Sequence, residues 1–176
     1  MTGNIDRRSL VHAGAAALAA MLIAPCMAFA ASGLKPSKTP RNNDMSTAEL
    51  HAFYARYLEA VNARHYDFVA TLIHDKVLMN GVERGRDDVI ISLKGIIDAV
   101  PDFTWHLEEL VVEGGRLVAK LRDTGTPARP WVGLSPTGAS VEFTEFCFYK
   151  VVDGRFSEMW FLMDVPAVAR QLARIP

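Results

Sequence analysis

Asp164 and Glu145 are the side chains in this sequence best placed to do chemistry. Asp164 ends the run Phe156-Ser157-Glu158-Met159-Trp160-Phe161-Leu162-Met163-Asp164. As a strand, its alternation puts Phe156, Glu158, Trp160, Leu162 and Asp164 on one face and Ser157, Met159, Phe161 and Met163 on the other. Both faces are largely apolar, so both are expected to be buried. A carboxyl group held between Trp160 and Leu162 loses hydration. That disfavours its charged form and moves its pKa towards the range useful for taking a proton from the carbon beside a carbonyl. A structural role is equally open to it, because Asp164 directly precedes Val165-Pro166, the arrangement of an Asx N-cap with proline in the first turn. Glu145 alternates with Phe143, Cys147 and Tyr149. If that face is a pocket, Glu145 and Asp164 form a carboxylate pair with separated pKa values; if it is the outer face, Glu145 is a solvated or subunit-interface charge.

Other side chains add to the candidate set. Tyr54 and Tyr57, three apart on a helical stripe, can offer hydroxyls to a ligand or simply fill the core. Asn80 can hydrogen-bond an enolate oxygen or serve the turn at Asn80-Gly81. Trp105, Trp131 and Trp160 can wall a flat apolar ligand or pack internally. His51, His65, His74 and His106 show no metal-ligand spacing, so no metal site is expected. The sequence has no glycine-rich phosphate loop, nucleophile elbow or paired-cysteine motif, and no cofactor is implied. With a formal net charge of −1 and no Lys/Arg cluster after the leader, it offers no nucleic-acid surface.

These residues must be positioned by a small domain. Ser46-Thr47-Ala48-Glu49 reads as a capping box, followed by an apolar stripe at Leu50, Phe53, Tyr54, Tyr57, Leu58 and Val61, which predicts a helix to about Arg64. A second short helical piece is expected over Tyr66 to Ile73 and a brief strand over Val77 to Met79. The next helix opens at Gly85 to Asp88, buries Val89, Ile90, Leu93, Ile96, Ile97 and Val100, and stops at Pro101. The period then changes to two. Strands are expected over Thr104 to Glu113, Arg116 to Thr126, Ser140 to Val152 and Arg155 to Asp164, with hairpin turns at Gly114-Gly115 and Asp153-Gly154 and a loop over Pro127 to Gly138. A short helix, Pro166 to Leu172, follows. Helices first and hairpin-linked strands afterwards is the α+β pattern, an antiparallel sheet with helices on one face. Long twisted strands curling around the helices would make a cone with a pocket.

The front of the chain is of another kind. Met1 to Arg8 carries Arg7-Arg8, then comes an Ala-rich apolar run, Val11 to Met27, and then Ala28-Phe29-Ala30. This is the layout of an export signal cleaved after Ala30. The run is short for a membrane span, so no stable membrane insertion is expected after cleavage. The Arg pair followed by x-Leu resembles a twin-arginine signal, with Asp6 where Ser or Thr is usual, and implies a periplasmic or secreted protein. Residues 31–45, rich in Pro, Ser, Lys and Asn, read as a flexible linker, and residues 46–176 as one domain. Cleavage leaves Cys147 as the only cysteine, so no internal disulfide can form.

Several segments, taken in order, resemble the SnoaL-like polyketide cyclases and their predicted ester cyclase branch. They are the loop Gly133-Leu134-Ser135-Pro136-Thr137-Gly138, then Phe143-Thr144 through Phe148-Tyr149-Lys150, Asp153-Gly154-Arg155, Glu158-x-Trp160-x-x-x-Asp164, and earlier Asp102-Phe103-Thr104 with Glu108 and Glu113-Gly114. The resemblance covers nearly all of the domain. It implies the nuclear transport factor 2-like cone, a cystatin-like roll of curved antiparallel sheet wrapped around N-terminal helices, and a homodimer. It also implies that Asp164 occupies the position of the general acid/base of a metal-free and cofactor-free intramolecular aldol condensation, with a pocket tyrosine on the first helix at Tyr54 or Tyr57. Where the family often has Gly-Thr-His, this chain has Gly125-Thr126-Pro127, so that histidine's role is absent. Glu145 fits the ester cyclase branch better.

The function expected from sequence is therefore an exported domain with an apolar pocket for a small hydrophobic, carbonyl-bearing molecule. Cofactor-free cyclase, isomerase or dehydratase chemistry would run on Asp164, with Glu145, Tyr54, Tyr57, Asn80, Trp160 and Trp131 contacting the substrate. The alternatives are a non-catalytic ligand binder and a dimeric interaction module of the same fold.

Overall fold

The structure, a computed structural model, describes residues 45–173. The expected signal at residues 1–30, all but the last residue of the expected linker, and residues 174–176 lie outside the described residues.

The first helix, α1 (Thr47–Asn62), starts where the capping box places it. The Ser46 amide donates to Glu49 Oε2 at 2.7 Å and the Glu49 amide donates to Ser46 Oγ at 3.3 Å, which satisfies two N–H groups that have no partner within the helix. Its inward stripe is Leu50, Phe53, Tyr54, Tyr57, Ala60 and Val61. Asn62 fastens the far end. Its side chain accepts from the Trp105 amide at 3.0 Å and donates to the Trp105 carbonyl at 2.9 Å, fixing the depth at which the α1 tyrosines meet the sheet.

After α2 (Tyr66–Thr71) the chain forms β1 (Ile73–Met79) and β2 (Val82–Gly85), a longer strand than expected and an additional one. They are joined through Asn80 and Gly81, both at positive φ, 47° and 80°, the geometry that Asn-Gly supplies at a tight hairpin. The third helix, α3 (Arg86–Ala99), is capped where the Gly85 amide donates to Asp88 Oδ2 at 2.9 Å, and it ends just before Pro101. The long strands follow: β3 (Thr104–Glu113), β4 (Arg116–Gly125), β5 (Val141–Val152) and β6 (Arg155–Met163), then α4 (Val165–Leu172).

The six strands form one curved, unclosed sheet in the order β2-β1-β6-β5-β4-β3. All neighbours are antiparallel except β1 and β6, which run parallel. The fold is α+β, with the helices on the concave face. Alternation is strict on the central strands: Leu117, Ala119, Leu121 and Asp123 of β4, and Val141, Phe143, Glu145, Cys147, Tyr149 and Val151 of β5, are all buried. Gly125 is required by close approach. A Cβ there would stand 2.5 Å from Val100 Cγ1 and 3.2 Å from the Phe103 Cα.

Simple alternation fails on β6. Val151 pairs with Phe156 but Lys150 pairs with Glu158, leaving Ser157 as an extra residue, a β-bulge that reverses the side-chain parity of everything after it. Phe156, Met159, Phe161 and Met163 therefore stand opposite the buried residues of β5. Trp160 and Leu162 face outward and are 41% and 70% exposed. The expected grouping of Phe156 with Trp160, Leu162 and Asp164 is corrected accordingly.

Candidate active site

Between α1, α3 and the concave face of the sheet lies a cavity of about 210 Å³. Its apolar wall comes from Leu58 and Val61 of α1, Val89, Leu93 and Ile96 of α3, Met79 of β1, Leu121 of β4, and Phe161 and Met163 of β6. Trp105 closes one side. Its polar lining residues are Tyr54, Tyr57, Asn80, Ser92, Glu145 and Tyr149.

Glu145 is placed by β5, opposite Leu121 of β4. Asp123, two residues along β4, is its diagonal neighbour on the same buried face. Both belong to the core, Glu145 at 5% exposure and Asp123 at 0%. Neither oxygen of Asp123 has a hydrogen-bond partner, so ionising it would bury a charge that nothing solvates. Burial, and then the adjacent Glu145 carboxylate, push Asp123 up to about 9. Burial also raises Glu145, opposed by the dipoles of Asp123, Cys147 and Trp105 beside it. Asp123 thus holds its proton through neutral pH, while Glu145, on the cavity wall, titrates above the ordinary carboxylate range.

Three tyrosines stand near this pair. The Tyr54 and Tyr149 rings lie 5.5 Å apart and the Tyr54 and Tyr57 rings 5.9 Å apart. Burial raises the pKa of all three, so they remain neutral phenols. The Tyr54 hydroxyl is fully buried with no partner, a cost of about 1–3 kcal/mol for a polar group left unsatisfied. Asn80 is occupied on one side only. Its Oδ1 accepts from the Phe161 backbone N–H at 2.8 Å and its own backbone N–H donates to the Met159 carbonyl at 3.0 Å, leaving the side-chain NH₂ as a donor. Ser92 donates to the Asp88 carbonyl at 2.8 Å.

Of the residues expected from sequence, the cavity brings together Glu145, Tyr54, Tyr57 and Asn80. It does not bring in Asp164, Trp160 or Trp131. Asp164 is exposed, and its Oδ1 accepts from the Ala167 amide at 2.9 Å, the N-cap of α4; the bulge at Ser157 turns the end of β6 so that Met163 takes the cavity position. Trp160 packs its ring over Gly81 and donates its indole N–H to Glu158 Oε1 at 2.7 Å on the outer face. Trp131 is buried elsewhere, against Phe103 and Phe143 with ring centroids 5.6 and 5.7 Å away. Sequence reasoning missed Asp123, Tyr149 and Ser92. Asp123 was detectable, because it continues the apolar parity Leu117-Ala119-Leu121, and a carboxylate at a core position of a central strand is itself a signal. Among the described residues no group of three or more His, Cys, Asp and Glu could hold a metal ion, and no helix is long and apolar enough to cross a membrane.

The fold recurs in solved structures of known proteins. A SnoaL-like polyketide cyclase from Agrobacterium tumefaciens superposes with a TM-score of 0.68 at 30% identity, over 73% of this chain and 100% of that one. TsrD from Streptomyces laurentii gives 0.67 at 24% identity, over 75% and 100%. IdmH from Streptomyces antibioticus gives 0.64 at 23%, over 70% and 98%. These last two speak to the fold alone. No curated protein sequence matches the chain. The family described as SnoaL-like polyketide cyclase matches residues 51–172, the stretch that builds both the curved sheet and its buried carboxyl pair, and the chain belongs to that family.

Proposed function

We propose that the cavity binds a small hydrophobic carbonyl compound and that Glu145 performs cofactor-free acid/base chemistry on it, of the cyclase or isomerase type. The observation that carries the reading is the position of Glu145: a carboxylate on an apolar cavity wall, with a second buried carboxyl, Asp123, diagonally beside it. With Asp123 holding its own proton, Glu145 in its charged form is the base and removes a proton from the carbon beside the ligand's carbonyl. The electron pair moves onto the carbonyl oxygen, where the Asn80 NH₂, left free by the Oδ1–Phe161 hydrogen bond, is the donor available to stabilise it. If the enolate is conjugated with a double bond, Glu145 returns the proton to the far (γ) carbon, which isomerises the ligand. If a second carbonyl is in reach, the enolate α-carbon forms a bond to its carbon, the C=O electron pair becomes an alkoxide, and that oxygen takes the proton back from Glu145 as the ring closes. The general acid/base role expected of Asp164 passes to Glu145 in this reading, and Asp164 acts as a helix cap.

Two further elements complete the proposal. The Arg7-Arg8 pair and the Ala28-Phe29-Ala30 site support export, tested by locating the mature protein in cell fractions with and without Arg7→Lys and Arg8→Lys. The exposed apolar side chains of Val118, Phe146, Trp160 and Leu162 on the convex sheet face support a homodimer.

The catalytic part is tested by hydrogen–deuterium exchange at the α-carbon of small ketones in D₂O, followed by NMR. The wild type accelerates exchange, Asp164→Asn matches it, and Glu145→Gln loses it. Full activity in Glu145→Gln refutes the mechanism. Saturable binding without exchange or product leaves a binding protein.

A further inference from the structure

We infer that the ligand of this cavity is a neutral hydrogen-bond acceptor with a single ring or an equivalent small skeleton, a ketone, ester or lactone, and that the cavity rejects both its free-acid counterpart and polycyclic homologues. This rests on the reading of the cavity as a ligand site and adds its selectivity.

Size is the first argument. At about 210 Å³ the cavity exceeds the roughly 150 Å³ that accommodates benzene in an engineered protein core. It falls below the roughly 300–1,000 Å³ of pockets that take drug-sized ligands. One ring with a short substituent fits; three fused rings do not.

Hydrogen-bonding polarity is the second. The Oδ1 of Asn80 is consumed by the Phe161 amide, so its NH₂ is left as a donor on the cavity wall. Glu145 in its charged form has no hydrogen to give. A carbonyl oxygen on the ligand supplies the acceptor that the Asn80 NH₂ lacks.

Charge is the third. No Lys, Arg or His lines the cavity, while the Glu145 carboxylate lies on its wall. A carboxylate ligand would be desolvated beside like charge with no cation to compensate. The ester or ketone keeps the acceptor oxygen without that penalty.

The test uses purified protein and a matched set of probes: acetophenone, methyl benzoate, benzoate, ethylbenzene and 2-acetylanthracene, with binding read by amide chemical-shift titration of the cavity residues. Acetophenone and methyl benzoate are expected to bind at least 100-fold more tightly than benzoate, and 2-acetylanthracene not to displace them. Asn80→Asp, which keeps the oxygen that accepts from the Phe161 amide and removes the donor, should weaken acetophenone about 10-fold and leave ethylbenzene within 2-fold. Equal binding of benzoate, or tighter binding of 2-acetylanthracene, overturns the selectivity while leaving the ligand site intact. Failure of every probe, ethylbenzene included, to shift the cavity resonances overturns the ligand-site reading and this inference with it.

Discussion

Replacing Asp123 with Asn keeps the size of the side chain and removes its ionisation, and the consequence for stability follows from where Asp123 is held. Its pKa is raised from the ordinary aspartate value to about 9 in the folded protein. Between roughly pH 4 and 9 the folded chain therefore carries a proton that the unfolded chain has released. The sign is fixed by that difference: stability is fully present below the unfolded value and drains away as pH rises towards the folded one. One proton corresponds to about 1.4 kcal/mol per pH unit, so from pH 6 to pH 8 Asp123 removes stability on the order of 2–3 kcal/mol. For a domain of this size that is a fall in Tm of roughly 10 °C. Asp123→Asn should lose that component, and its advantage over the wild type should widen by about the same amount between pH 6 and pH 8. Thermal unfolding followed by circular dichroism, with urea unfolding at pH 6, 7 and 8 at constant ionic strength, measures it. Taking the difference between the two proteins at each pH cancels the other ionisable groups, apart from the release of Glu145 from its neighbour. Parallel pH profiles would refute the argument, because they would mean that Asp123 is solvated or already ionised in the folded protein.

Asp164→Ala should cost about 1 kcal/mol through loss of the α4 cap, visible as a lower Tm, while α-proton exchange continues. Gly125→Ala forces a methyl group against Val100 and the Phe103 backbone; overpacking of this kind costs about 1–3 kcal/mol, and urea unfolding would show it. Phe146→Glu on the convex face should shift a dimer to monomer in light-scattering chromatography with little change in far-ultraviolet circular dichroism; an unchanged mass would argue against that face as the interface.

Much of the fold was legible because its signals are local. The Ser46 capping box, the three-and-four spacing of α1 and α3, Pro101 as a stop, and the Asn-Gly, Gly-Gly and Asp-Gly turns each act over a few residues, and each stands where the sequence put it. The strand β1 was underestimated because His74, Asp75 and Lys76 give it a polar start, although its ladder is completed by β2 and by the distant β6. The site was legible in part for a similar reason. Glu145 and the α1 tyrosines follow from regular periodicity. The placement of Asp164 does not, because a bulge depends on the pairing of two strands and leaves little trace in either sequence alone. Asp123 escaped notice through its neighbours: between Arg122 and Thr124 it reads as surface, and only its parity with Leu121 betrays it.

The extra residue at Ser157 has a further consequence for how such a domain can change. Deletion of Ser157 would leave Glu158 opposite Lys150 and Met159 opposite Tyr149, so the faces of β6 would stay as they are. A slip that paired Ser157 itself with Lys150 would instead transpose the two sides of the strand, sending Trp160 and Leu162 to the ligand and Phe161 and Met163 to the convex exterior. The bulge is thus a latch: holding one residue out of the ladder decides which coat of β6 lines the chamber and which meets another subunit, while the backbone path of the sheet is the same in both registers.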